Sequence, residues 1–157
     1  MITKMLCCLF ILLNGGFMNS QNNSSSICDY FSKATKIATY TNDGKSLYFK
    51  GDDKFEAILN SLLETTADSH DMPAFGVAFD NQVSEAKKKD TWLELIFDST
   101  QYFNDMPFDA LLIKVQPKDS GFNLIRKHDG KYEGRCFYLN LSKNMTDLSQ
   151  KINEISK

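Results

Sequence analysis

Between residues 36 and 50, apolar and polar side chains alternate around an Asp-Gly pair in "KIATYTNDGKSLYFK". A period of two marks a half-buried strand, and Asp-Gly between two such runs supplies the positive φ of a tight hairpin turn. A two-residue turn at Asp43-Gly44 sets Tyr40 against Leu47 and Ala38 against Phe49. The period then changes. Phe55, Ile58, Leu59 and Leu62 recur at i, i+3, i+4 and i+7, the stripe of an amphipathic helix, with Asp53 and Glu56 in capping-box spacing. "AFGVAF" predicts a short strand ending at Phe79, and the polar "DNQVSEAKKKD" has room for one helical turn. "TWLELIF" predicts a strand with Leu93, Leu95 and Phe97 on one face and Trp92, Glu94 and Ile96 on the other. "DALLIKVQ" repeats the pattern. "GFNLIRKHDGKYEGRCFYLNL" is a second hairpin, turning on Asp129-Gly130. Asn144 caps a last helix whose Met145, Leu148, Ile152 and Ile155 share one side.

Strands joined by short turns and flanked by helices predict an α+β domain: mainly an antiparallel sheet with helices packed on one face. The chain has 157 residues, enough for one domain of ordinary size, and its 42% hydrophobic content is enough to build a core. A net charge of −2, with no basic cluster larger than Lys87-Lys88-Lys89, argues against a nucleic-acid partner.

The N-terminus follows different rules. Lys4 precedes the unbroken apolar run Met5 to Leu13, which is followed by "NGGFMNS", the layout of a secretory signal. The run falls well short of the ~20 residues that cross a bilayer, so no stable membrane span is expected once the signal is removed. The expected organisation is a signal peptide over 1–20, a flexible leader over 21–33 and one domain over 34–157. The protein is then secreted or at the cell surface; a cytoplasmic location is the alternative if the signal reading fails. Export would leave Cys28 and Cys136 as a pair in an oxidising compartment, and a disulfide between them is expected. Closing that loop of roughly 100 residues would stabilise the domain by ~4–5 kcal/mol in the chain-entropy picture.

Candidate chemistry is sparse. Pairing about Asp129-Gly130 would set Phe122 against Phe137, Leu124 against Arg135 and Arg126 against Glu133. Two arginines and a glutamate then stand beyond an aromatic pair, either as a cross-strand ion pair on the sheet rim or as a grip for an anion or carboxylate. The His70-Asp71 loop before Met72-Pro73 is either a further part of that site or a solvent-exposed turn. In this register Cys136 lies on the opposite face from Arg126 and His128, which removes a thiol–imidazole dyad. Neither histidine has metal-ligand spacing, and the phosphate loop, dinucleotide fingerprint and nucleophile elbow are absent. No metal and no cofactor are expected.

The segments "MPAFG", "WLE", "NDMPF", "SGFNLIR" and "YEGRCFYL" occur in that order over roughly the last two-thirds of the chain. On them the sequence resembles an uncharacterised family of small bacterial proteins common in gut anaerobes. The resemblance implies no reaction, cofactor or catalytic residue. The expected role is therefore a small exported binding domain without catalytic activity, its partner an unknown protein or small ligand. The alternatives are a small hydrolase using carboxylate and arginine chemistry, or a cytosolic accessory protein.

Overall fold

The computed structural model describes residues 25–74 and 76–156. The expected signal peptide, 1–20, lies outside these residues. Order begins earlier than the expected leader allows, because Ile27–Lys33 form a short 3-10 helix. Ser26 accepts from the Cys28 N–H and Asp29 bonds back to the Ser26 N–H, a reciprocal cap. Ile27 and Phe31, four residues apart, are fully buried. Their burial fixes a segment whose polar surroundings suggested mobility.

The fold is α+β. Strands β1 (Lys36–Thr41), β2 (Gly44–Phe49), β3 (His70–Met72), β5 (Trp92–Phe103), β6 (Met106–Lys114), β7 (Gly121–His128) and β10 (Phe137–Asn140) form an antiparallel sheet in the order β2-β1-β5-β6-β7-β10-β3. β8 (Lys131–Tyr132) extends β7 as a hairpin, while β4 (Val77–Ala78) and β9 (Gly134–Arg135) make a separate ribbon. Helices α1 (Asp53–Thr66) and α3 (Thr146–Ile155) pack with the 3-10 helix on one face. The short α2 (Asp80–Ala86) packs on the other, through Val83 against Trp92, Leu112 and Tyr132.

The α1 stripe is buried as its spacing predicts, through Phe55, Ile58, Leu59 and Leu62. Its cap is shifted by one residue: Asp52 stands at the N-cap and turns its carboxylate to the Phe49 N–H at 3.0 Å. In the first hairpin Asn42 and Asp43 occupy the turn, so Ala38 faces Leu47 and Tyr40 faces Lys45. That register is two residues from the one expected, which leaves every side chain on its predicted face. The β5–β6 turn at Asn104 and Asp105, with φ of 50° and 60°, has the backbone of a tight primed turn.

The second hairpin departs from expectation in a way that matters. β7 and β8 pair as predicted, Lys127 with Tyr132, but β10 has slipped by two residues, so that Leu124, not Phe122, faces Phe137. Between them Gly134, at φ +87°, turns the chain out of the sheet and lets Gly134–Arg135 pair with β4. The expected Arg126–Glu133 and Leu124–Arg135 pairs therefore do not form.

The expected disulfide is also absent. Cys28 and Cys136 are both free. Cys28 packs against the core beneath α1, whereas Cys136 belongs to the cluster beneath α2, so the sheet stands between them.

Candidate functional site

The sequence-derived site residues disperse in the structure. Phe122 and Phe137 are buried core side chains. His70 and Asp71 lie on the edge strand β3 opposite Asn140 and Leu139, and Asp71 accepts from the Ile27 N–H at 3.2 Å. This carboxylate thus anchors the 3-10 helix. Arg135 is exposed on the β4–β9 ribbon, paired with Val77. Only Arg126 and Glu133 meet at one cavity, and they make no ion pair with each other.

That cavity, of about 540 Å³, lies between the ribbon and the end of the sheet. Val77, Phe79 and Pro107 give it apolar walls; Arg126, His128, Asp129 and Glu133 give it charge. Val77 and Phe79 are 58% and 55% exposed and stand together on this wall as a small apolar patch. Arg126 is fixed from behind. Its Nε donates to the Arg135 carbonyl at 2.8 Å and its Nη1 to the Pro107 carbonyl at 2.7 Å. The guanidinium stands 5.9 Å from the centre of the Phe137 ring. Two carbonyls orient the charge without neutralising it, and among the described residues no carboxylate lies within the 4.0 Å of an ion pair. Partial burial accordingly pushes the Arg126 pKa down from its ordinary value.

His128, on the same wall, is engaged. Its Nδ1 is 3.1 Å from Asp109 Oδ2 and its Nε2 is 3.6 Å from Asp129 Oδ2. Asp109 also accepts from Thr100 at 2.6 Å and from the Asp129 N–H at 3.1 Å. Desolvation pushes the Asp109 carboxyl up, but the hydrogen bonds from Thr100, Asp129 and His128 outweigh it and hold the pKa below the ordinary value. Donor atoms of Asp109, His128 and Asp129 lie within 4.8 Å of one another, the one such group among the described residues. Because the Asp109 oxygens are already bonded, the trio reads as the clamp of the β7–β8 turn.

β4 also borders a second, smaller cavity of about 240 Å³ on the opposite side, floored by Trp92, Ile125 and Cys136 and roofed by α2 through Val83 and Ala86. Burial pushes the Cys136 thiol pKa up, an effect the Arg126 charge only partly offsets. A thiol so placed is a poor nucleophile.

Sequence reasoning missed the role of β4 because "AFGVAF" reads as one strand. Gly76, at φ +87°, breaks it and leaves Val77–Phe79 as a wall shared by two cavities. A glycine inside a strand pattern was the available signal. No protein-family model, no curated protein and no solved structure matches this chain. No helix among the described residues is long and apolar enough to cross a membrane.

Proposed function

We propose that this domain works by binding, and that the cavity beside β4 receives a ligand combining an anionic oxygen group, such as a carboxylate, with an apolar body. The observation that carries this reading is Arg126: oriented by two backbone carbonyls, without a carboxylate partner among the described residues, and placed on one wall with exposed Val77 and Phe79. Arginine offers a planar fork that matches a carboxylate in two places, and an apolar neighbour makes such a pair stronger by excluding water. Glu133 and Asp129 on the same rim disfavour multiply charged anions, so a single carboxylate fits best. Export from the cell remains part of the proposal, without support from a disulfide.

The test is an NMR titration with N-acetyl-phenylalanine and with its uncharged amide. The carboxylate should shift the Arg126 side-chain Nε–H and the backbone amides of Val77 and Phe79; the amide should do so at least tenfold more weakly. Arg126→Gln should abolish the difference. Equal responses to both compounds, or binding unchanged by Arg126→Gln, contradict the reading.

A further inference from the structure

The α2 face of the sheet buries a carboxylate. Glu94, on β5 between Trp92 and Ile96, is 2% exposed. Tyr40 donates its hydroxyl to Oε2 at 2.6 Å, Tyr132 donates to Oε1 at 2.5 Å, and the Lys127 ammonium stands 3.8 Å from that same Oε1. Glu94 thus has both its donors and a neutralising charge. A second ammonium is nevertheless present. Lys87, immediately after α2, donates from Nζ to the Tyr132 hydroxyl at 2.8 Å, 4.0 Å from the centre of the Tyr40 ring and 4.5 Å from that of Tyr132. Among the described residues it has no carboxylate within 4.0 Å.

Two electron-rich rings and a phenol oxygen polarised by a buried carboxylate are the components of an ammonium cage. The cage and its occupant come from different parts of the fold. Tyr40, Glu94 and Tyr132 belong to strands of the large sheet and are bonded to one another without Lys87. Lys87 arrives from a seven-residue helix held by buried Val83, by half-buried Ala86, by the Trp92 Nε1 bond to the Ala86 carbonyl at 3.2 Å and by the Asp80 bond to the Tyr132 N–H at 2.9 Å. Burial pushes the Lys87 pKa down from its ordinary value, so holding its charge in the cage costs hydration. Lys45, 5.5 Å from the Tyr40 ring, and Lys127, 5.0 Å from the Tyr132 ring, add positive charge around the seat. A further cation therefore replaces Lys87 and does not join it.

We propose that Tyr40, Tyr132 and Glu94 form a binding site for an alkylammonium group, occupied in the free protein by Lys87, and that a primary or N-methylated alkylammonium ligand displaces Lys87 and frees the end of α2. The site uses different residues from the Arg126 cavity, so either proposal can fail alone. Lys87→Ala retains Cβ, and n-propylammonium supplies the missing carbons and nitrogen. Titrated into this variant, n-propylammonium should shift the Tyr40 and Tyr132 ring protons saturably, at least tenfold more tightly than in the wild-type protein. Neutral n-propanol should not, and adding Glu94→Gln should weaken binding at least tenfold. In the wild-type protein, high n-propylammonium should perturb the same rings and accelerate hydrogen exchange of the Lys87 amide, a readout that does not depend on how the variant folds. Absence of ring shifts in Lys87→Ala, an equal response to n-propanol, or an unperturbed wild-type protein overturns the proposal.

Discussion

The two faces of the sheet are built from different materials. Beneath α1 and α3 the core is almost wholly apolar, and its aromatic rings meet edge to face: Phe97 with Phe108 at 5.4 Å, Phe103 with Phe137 at 5.1 Å and Phe108 with Phe137 at 5.9 Å between centres. The α2 face has a smaller cluster around Trp92, Leu112, Tyr132 and Cys136, into which a carboxylate and a lysine are set. The first arrangement maximises burial per residue and tolerates little change. The second replaces part of that burial with polar bonds that require specific partners. The Tyr40–Glu94–Tyr132 cluster thus lies on the face opposite the aromatic core, whereas Arg126, paired with Leu111, stands at the rim of the core face.

The largest effect expected from breaking this division is on the apolar side. Phe108→Ala removes a fully buried ring at the centre of the aromatic set, and should cost ~3–5 kcal/mol in chemical denaturation. Glu94→Gln keeps the shape but takes the charged acceptor from two tyrosines and the counter-charge from Lys127. A loss of ~2 kcal/mol is expected, with Tyr132→Phe strongly non-additive with it in a double-mutant cycle. A loss equal to that of Phe108→Ala would erase the distinction between the faces. The smallest effect concerns the thiols. A maleimide should label half-buried Cys28 well before Cys136, and the native mass should not change by two hydrogens on reduction. Simultaneous labelling of both would place Cys136 in a more open region than the fold assigns it.

Local signals were legible wherever one face of an element decides its position. The α1 stripe and the burial of Met145, Leu148 and Ile152 followed from periodicity, and the Asp129-Gly130 turn from the positive φ that Asp-Gly supplies. The site was less legible, because it depends on where pairing stops. Extending the Asp129-Gly130 register to Arg126 and Glu133 ignored Gly134, whose positive φ releases the chain toward β4 and leaves Arg126 to bond carbonyls. The Cys28–Cys136 bridge failed for a similar reason: spacing and parity say nothing about which face a residue occupies. The alternation of "TWLELIF" did place Glu94 beside Trp92 and Ile96. That this carboxylate is buried depends on Tyr40 and Tyr132, distant in sequence, arriving above it.

Residue-resolved native-state hydrogen exchange in low denaturant tests the division of the two faces most directly. Amides of Leu93, Leu95, Leu111 and Ile113 should open only with global unfolding. Those of Val83 and Lys87, which bond to the Phe79 and Val83 carbonyls, should open through a smaller, denaturant-insensitive event. If the α2 amides share the opening free energy of β5 and β6, the two faces unfold as one unit and the account is wrong.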